Sequence, residues 1–286
     1  MLGSVGDLVE DVVVHLHEQV HVASDTAATV VRRRGGSAAN VVEAACRAGG
    51  AARFIGQVGD DATGRGLTEA LAVAGAELAV RRAGRTATII VLVDASGERT
   101  MLSDRAACLD LADPEPAWLD GLHTLHIPYY SLVAGALAET SATLAGWANE
   151  RGIRVSVDAS SASVLERVGP AIALAHIRSL RPSVVLANEL EAAALGPGLH
   201  PDHLGGALVI VKQGPDPAIV LEAGQPPRTV PAESVPDVRD TTGAGDAFAA
   251  GLLLALDAGD DAIAATRNGH AVAAAAVRRA SAYAPG

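Results

Sequence analysis

Short apolar runs alternate with longer alanine- and leucine-rich stretches along most of the chain. Several of the short runs are apolar at every position, which is typical of strands covered on both faces. Strands are predicted at 11–15, 86–93, 124–127, 154–158, 184–187, 208–212 and 218–221. Helices are predicted at 38–48, 64–74, 132–151, 189–195, 244–255 and 260–278. Strands separated by helices predict βαβ units, and hence an α/β fold with a central, mostly parallel sheet flanked by helices.

Two segments break this alternation, 11–34 and 81–103, where strand-like runs follow one another without a helix. Asp94-Ala95-Ser96-Gly97 has the composition of a hairpin turn inside the second segment. We expect the two segments to pair into a small β lid beside the main sheet. The sequence has no internal repeat and no linker-like stretch, so residues 1–286 are predicted to form one domain.

Composition narrows the class of protein. The chain has 286 residues, of which 49% are hydrophobic, and a net charge of −11. It lacks both the basic stripe of a nucleic-acid surface and an apolar run of about 18 residues that would cross a membrane. The first residues do not resemble a signal peptide, so a cytoplasmic protein is expected. Cys46 and Cys108 stand far apart in no paired motif, which argues against a disulfide framework or a zinc ribbon.

The segment 240–248 combines a glycine-rich turn with the start of an almost wholly apolar helix. Free N–H groups at such a helix terminus bind phosphate oxygens, and glycines let the backbone approach the anion closely. Asp246 would lie in the first helical turn, where a carboxylate can accept a proton from an attacking hydroxyl. The alternative is that Asp246 only caps the helix, a position that Asp favours anyway.

Five motifs then follow one another in a recognisable order. They are Gly35-Gly36-Ser37-Ala38-Ala39-Asn40, Gly56-Gln57-Val58-Gly59-Asp60-Asp61, Asn188-Glu189-Leu190-Glu191, Val211-Lys212-Gln213-Gly214 and Asp240-Thr241-Thr242-Gly243-Ala244-Gly245-Asp246. Together they resemble the signatures of the PfkB, or ribokinase-like, family of carbohydrate kinases. The resemblance extends from about residue 11 to residue 268 and implies a ribokinase-like fold with a β lid over the sugar.

The resemblance implies roles for residues at the sugar end of the site. Asp246 corresponds to the catalytic base, and the N–H groups of Gly243, Ala244 and Gly245 to the anion hole for the charge that develops during transfer. The positions that hold substrate hydroxyls correspond to Asp11, Gly36 and Asn40. A carboxylate and an amide can fix a polyol by several hydrogen bonds.

At the nucleotide end, the resemblance places Asn188 and Glu191 near the phosphates of ATP and the hydration shell of Mg²⁺. A helix N-cap with a capping box explains the same two residues, and both interpretations stay open. Lys212, Gly214 and Asn268 are implied to line the nucleotide site. Because Asp240 and Thr242 match positions where related kinases hold a monovalent cation, activation by K⁺ is a further hypothesis.

The predicted reaction is ATP-dependent phosphorylation of a hydroxymethyl group on a sugar or a related polyol. Two alternatives are a nucleoside kinase on the same fold and a non-catalytic sugar-binding regulator. A phosphosugar substrate also stays open, with Arg81, Arg82 and Arg85 as the nearest candidates to bind its phosphate. Since exposed lid strands often pair between subunits, a homodimer is expected.

Overall fold

A nine-stranded sheet forms the centre of the computed structural model, which describes residues 1–94, 96 and 98–283. Its strands are β1 (Leu2–Val5), β4 (Ala52–Val58), β5 (Glu77–Arg82), β8 (Thr124–Pro128), β9 (Arg154–Asp158), β10 (Val184–Asn188), β11 (Leu208–Gln213), β12 (Asp216–Leu221) and β13 (Arg228–Val230). They lie in the order β13-β12-β11-β10-β9-β8-β1-β4-β5. Every pair from β11 to β5 is parallel, whereas β12 and β13 run antiparallel to their neighbours. The parallel strands therefore end at one common edge, where α/β proteins bind their ligands.

The helices cover both faces of this sheet. They are α1 (Ser37–Arg47), α2 (Ala62–Val73), α3 (Gly135–Glu150), α4 (Ala162–Val168), α5 (Pro170–Ser179), α6 (Glu189–Leu195), α7 (Ala244–Asp257) and α8 (Ala262–Tyr283). Residues of α1, α2, α7 and α8 share one buried apolar cluster with one sheet face, while residues of α3 to α6 share a second cluster with the other face. Within the described residues, no helix is long and apolar enough to span a membrane.

A separate four-stranded sheet forms the lid. Its strands are β2 (Val9–Leu16), β3 (Ala28–Gly35), β6 (Thr88–Val93) and β7 (Arg99–Asp104), in the order β3-β2-β6-β7. The parallel pairing of β2 with β6 joins the two chain segments, and antiparallel pairing adds β3 and β7 at the edges. Asp11 stands opposite Arg33 on β3 and Ile89 on β6.

The second lid segment begins later than the sequence predicted. Arg81 and Arg82 pair with β4 as the end of β5, so they belong to the large sheet, and the lid resumes only at Thr88. Strands β6 and β7 flank the predicted turn at 94–97, of which Ala95 and Gly97 lie outside the described residues.

Candidate active site

Asp246 lies in the first turn of α7, directly after the left-handed Gly243 (φ 75°) that begins the helix. No side chain in the described part of the chain caps this terminus. The Asp246 carboxylate instead turns toward α1, where Ser37 Oγ donates to one oxygen at 2.6 Å and Asn40 Nδ2 to the other at 2.9 Å. The interpretation of Asp246 as a simple helix cap therefore fails.

The environment of Asp246 keeps its carboxylate basic. Burial raises the pKa of Asp246 to about 6, with a smaller contribution from the charge of Asp158. The two hydrogen bonds from α1 and the charge of Lys212 oppose this rise in pKa. A carboxylate with a pKa near 6 is ionised at neutral pH and accepts a proton more readily than an ordinary aspartate.

Asn40 is held from the other side by the lid. Arg34 NH1 donates to Asn40 Oδ1 at 3.1 Å, which fixes the amide so that its nitrogen faces Asp246. Arg34 is itself paired with Glu43 on α1. Asn40, predicted to hold a substrate hydroxyl, thus also orients the candidate base, and Ser37 joins it in that task.

The Gly35-Gly36 pair makes room where the lid meets α1. A Cβ at Gly35 would lie 2.3 Å from Asp11 Oδ2, so the Asp11 carboxylate occupies the space that a side chain would take. Gly36 has φ 101°, and a Cβ there would lie 2.4 Å from the carbonyl oxygen of Asp7. Burial, followed by the charge of Asp7, raises the pKa of Asp11 to about 6.

A second charged cluster lies beyond Asp246, at the ends of β9 and β11. Lys212 Nζ donates to Asp158 Oδ2 at 2.5 Å, and a Cβ at Gly245 would lie 3.4 Å from the same Nζ. Burial opposes the charge of Lys212, but Asp158, Glu191 and Asp246 outweigh it and raise the pKa of Lys212. An ammonium group thus stands beside the glycine turn, next to Asp246.

The turn offers two amides rather than the three predicted. Ala244 N donates to the carbonyl oxygen of Thr241 at 3.1 Å and is committed to the turn itself. Within the described residues this leaves the amides of Gly243 and Gly245 for a phosphate oxygen.

Asn188 and Glu191 form the capping box of α6. Asn188 N and Nδ2 each donate to one Glu191 oxygen at 2.7 Å, and Glu191 N donates back to Asn188 Oδ1 at 2.9 Å. Glu191 is also buried, and burial followed by the charge of Asp158 raises its pKa to about 7. Among the described residues no three acidic, histidine or cysteine side chains are close enough to hold a metal ion directly. The excess of carboxylates around Lys212 fits a hydrated Mg²⁺ that accompanies ATP.

Gly214 and Asn268, which were also predicted to line the nucleotide site, have different surroundings. Gly214 lies in the turn between β11 and β12 with φ 58°, and no atom lies within 4 Å of a Cβ placed there, so it borders open space. Among the described residues, Asn268 makes no hydrogen bond to the cluster; its Nδ2 donates to the carbonyl oxygen of Gly251 at 2.6 Å and ties α8 to α7.

The predicted cation residues lie where the lid meets the glycine turn. Asp240 Oδ1 accepts from Thr242 N at 2.9 Å and Thr242 Oγ1 at 2.6 Å. Arg33 NH1, from the lid, donates to Asp240 Oδ2 at 3.1 Å. Asp240 therefore has a cationic neighbour from the lid.

A cavity of about 950 Å³ lies between the lid, α1, the glycine turn and α8. The predicted substrate residues Asp11 and Asn40 line it, together with Gly243. The lid contributes an apolar wall of Val13, Val91, Val93 and Met101. The arginines lining it are Arg33, Arg34, Arg47, Arg239 and Arg279.

The three arginines predicted to bind a phosphosugar lie elsewhere. Arg81 donates to Asp113 O and pairs with Glu115, Arg82 donates to Thr68 Oγ1, and Arg85 pairs with Asp104. None of the three lines the cavity.

Sequence reasoning missed Ser37, Gly35 and Asp158. The first two lie inside the first motif, and the close approach of α1 to Asp246 would have been needed to single them out. Asp158 lies at the C-terminal end of a buried strand, where parallel sheets bind ligands, so its position alone was an available signal.

Comparison with known proteins agrees with this geometry. Residues 2–285 match the model of the pfkB family of carbohydrate kinases. The ATP-dependent ribose-1-phosphate kinase of Halopiger xanaduensis is 34% identical over 228 residues, which cover 77% of this chain and 72% of that protein. A fructokinase of Klebsiella pneumoniae is 33% identical over 239 residues, covering 78% and 77% respectively.

The fold is shared more widely than the sequence. The crystal structure of adenosine kinase from Sinorhizobium meliloti superposes with a TM-score of 0.83 at 22% identity, over 97% of this chain and 93% of that one. The predicted ribokinase-like fold is confirmed. With a matching family model over nearly its whole length, this chain belongs to the PfkB family of carbohydrate kinases.

Proposed function

We propose that this kinase transfers the γ-phosphate of ATP to a hydroxymethyl group of a sugar, with Asp246 as the general base. The observation that carries the proposal is the position of the Asp246 carboxylate. It lies in the first turn of α7, between the sugar-side residues Asn40 and Ser37 and the ammonium group of Lys212.

The chain's own groups divide the chemistry. Asp246 takes the proton of the sugar hydroxyl while the hydroxyl oxygen forms a bond to the γ-phosphorus of ATP. The bond between the γ-phosphorus and the oxygen that bridges it to the β-phosphate breaks, and ADP leaves with that oxygen. The amides of Gly243 and Gly245 and the Lys212 ammonium stabilise the negative charge on the transferring group. Mg²⁺ bound with ATP would neutralise further phosphate charge, held through water by Glu191 and its neighbours.

The direct test is production of ADP by the purified protein with ATP and Mg²⁺ across a panel of sugars and nucleosides, with and without K⁺. We expect ADP formation to depend on one class of sugar and to fall by about 10²-fold or more in Asp246→Asn. Binding of a sugar with no ADP formed under any condition would favour the regulator. A rate unchanged by K⁺ would remove the hypothesis of a cation at Asp240 and Thr242.

A nucleoside is the second candidate acceptor, and the apolar lid wall favours it. Val13, Val91, Val93 and Met101 would offer a nucleobase a flat apolar contact, although aromatic side chains, which stack best on bases, make up only 2% of the chain. Phosphorylation of adenosine or another nucleoside at a higher kcat/KM than any sugar would decide for this candidate.

We also propose that the lid pairs two copies of the chain. Val30 and Leu102 lie on the edge strands β3 and β7 and are 57% and 53% exposed. Exposed edge strands with apolar side chains favour pairing with another strand. A monomer by light scattering at assay concentration would contradict this dimer.

A further inference from the structure

Asp158, at the C-terminal end of β9, has no role in the proposed transfer, yet it holds the ammonium group that does. Its Oδ2 accepts from Lys212 Nζ at 2.5 Å, and the two side chains are only 10% and 13% exposed. Lys212 lies on β11, and β10 separates the two strands. Because neighbouring strands are about 5 Å apart, the lysine side chain reaches across two strand spacings, or about 10 Å, to this one carboxylate.

The turn that follows β9 fixes Asp158 in its turn. Ser160 N donates to Asp158 Oδ1 at 2.9 Å, and Ser160 Oγ donates to the carbonyl oxygen of Asp158 at 3.0 Å. Tyr129 N, at the end of β8, donates to the same Ser160 Oγ at 2.9 Å. Ser160 has φ 64°, a left-handed conformation that costs free energy in a residue other than glycine. Backbone strain of this kind concentrates at functional sites, which directs attention to the carboxylate that it holds.

A fixed Asp158 keeps Lys212 from pairing with its other acidic neighbours. Burial lowers the pKa of Lys212, and the charge of Asp158 is the largest of the effects that raise it, ahead of Glu191 and Asp246. A lysine side chain is flexible, so without Asp158 its ammonium group would be drawn to these two carboxylates. An ammonium group bonded to Asp246 would lower the basicity of that carboxylate.

A second buried ion pair on β9 shows what a purely structural role looks like. Arg154, at the start of the strand, pairs with Asp257 at the end of α7, and Thr124 Oγ1 donates to Asp257 at 2.7 Å. That pair ties β9 to the end of α7 opposite the glycine turn. Lys212 Nζ instead lies 3.4 Å from a Cβ placed at Gly245, where a phosphate oxygen can meet it.

We infer that Asp158 is a positioning residue for phosphoryl transfer, which holds the Lys212 ammonium group beside the Gly245 amide and away from the Asp246 carboxylate. This inference rests on the proposed kinase function and adds a residue to it. A γ-phosphate oxygen becomes a further partner of the ammonium group, which is already in place when ATP binds. No bond at Asp158 changes during the reaction, and the hydroxyl proton still passes to Asp246.

Nucleotide binding tests this inference without turnover. Calorimetric titration with Mg²⁺ compares the Kd for ADP with the Kd for the β,γ-imido analogue of ATP, which carries a γ-phosphate. We expect the ratio of the two Kd values to fall by about tenfold in Asp158→Asn and in Lys212→Met, the loss typical of a hydrogen bond to a charged group. The matched control is Asp257→Asn, which removes the other buried carboxylate and should keep the wild-type ratio. A wild-type ratio in Asp158→Asn overturns the inference.

The pH profile of kcat/KM for the sugar gives a readout that a structural role would not move. The charged and polar groups that face Asp246 are those of Ser37, Asn40, Asp158, Glu191 and Lys212. Beside burial, the charge of Asp158 raises the pKa of Asp246 and that of Lys212 lowers it. The acidic limb should therefore move to lower pH in Asp158→Asn and to higher pH in Lys212→Met. An unmoved limb in Asp158→Asn, or a shift in the same direction in both variants, overturns the inference.

A double variant keeps the test decisive if Asp158→Asn alone, which leaves a buried ammonium group without its carboxylate, fails to fold. Asp158→Asn/Lys212→Met removes both charges, a replacement that buried ion pairs often tolerate. If Asp158 acts through Lys212, the Kd ratio and kcat of the double variant should agree with those of Lys212→Met within about twofold. A further loss of about tenfold would show that Asp158 acts on its own and would overturn the inference. A protein that forms no ADP with any acceptor would defeat the proposed function, whereas the Kd ratios would still decide the role of Asp158.

Discussion

Replacing Asp246 by Asn should slow the reaction and at the same time stabilise the fold. The amide keeps both hydrogen bonds, because its oxygen accepts from Asn40 and its NH₂ group donates to Ser37 Oγ. What is lost is the negative charge, which burial makes costly: the pKa of Asp246 is raised from 3.8 to about 6. Activity and stability should therefore change in opposite directions.

The magnitude follows from the pKa. Each pKa unit corresponds to about 1.4 kcal/mol, so ionised Asp246 costs the folded state about 3 kcal/mol relative to the unfolded chain. Asp246 keeps some solvent contact, and about half of this value, roughly 1.5 kcal/mol, is a realistic gain. At about 2–4 °C per kcal/mol, the Tm of Asp246→Asn should rise by about 3–6 °C at pH 7.5.

The difference in Tm between Asp246→Asn and the wild type should depend on pH. A carboxyl group with a raised folded-state pKa destabilises the fold increasingly as the pH rises from about 4 to about 6, and by a constant amount above that range. The Tm gain of the variant should thus shrink to about a third at pH 4.5. The matched control is Asp261→Asn, since hydrogen bonds from the backbone of Ala264 and then Ile263 lower the pKa of Asp261, and this variant should lose stability at neutral pH.

Thermal unfolding followed by circular dichroism at pH 4.5 and 7.5 tests the expected gain in stability. ADP formation measured on the same preparations tests the expected loss of activity. A Tm gain that is equal at the two pH values, or a less stable variant, would refute the argument that burial strains this carboxylate. Turnover above about a tenth of the wild-type rate would refute its role as general base.

Three further outcomes are expected. Ser37→Ala removes a hydrogen bond that lowers the pKa of Asp246. The acidic limb of the profile of kcat/KM against pH, near pH 6 in the wild type, should therefore move to higher pH. A limb that does not move would show that another group sets it. Gly35→Ala should raise the KM for the sugar and leave the KM for ATP unchanged, because the new Cβ would lie 2.3 Å from Asp11 Oδ2. The control is Gly66→Ala, which should leave both KM values unchanged because no atom lies within 4 Å of a Cβ placed there. Lys212→Met should raise the KM for ATP or lower kcat by about tenfold or more, since it removes the ammonium group beside Gly245; wild-type constants would exclude Lys212 from phosphate binding.

The sequence predicted some strands of the large sheet almost to the residue and missed others that are equally buried. Strands β9, β10 and β11 agree with their predicted ranges almost to the residue. In β10 and β11, apolar side chains on both faces leave little ambiguity. Strands β1 and β4 went unpredicted: β1 is only four residues long, and β4 carries Arg53 and Gln57 within its apolar run. Helices α4 and α5 were also missed.

Some features of the candidate site could be predicted from the sequence, and others could not. The glycine turn and Asp246 are local features, so the sequence contains them directly. The contact of Lys212 with Asp158 depends on β9, β10 and β11 being neighbours, and sheet order is not written in any short motif. The five cavity arginines are scattered between residues 33 and 279, and only the fold shows that they line one cavity.

The contact between Arg33 and Asp240 links the lid to the glycine turn. Arg33 belongs to the lid, next to Asp11, while Asp240 fixes the turn that leads into α7 through its bonds to Thr242. On the proposed function, a lid that swings away would break this contact and loosen the turn that meets the γ-phosphate. Without a sugar to keep the lid shut, the turn would then be poorly ordered for transfer to water. The ion pair between Arg33 and Asp240 would in this way spare ATP from futile hydrolysis.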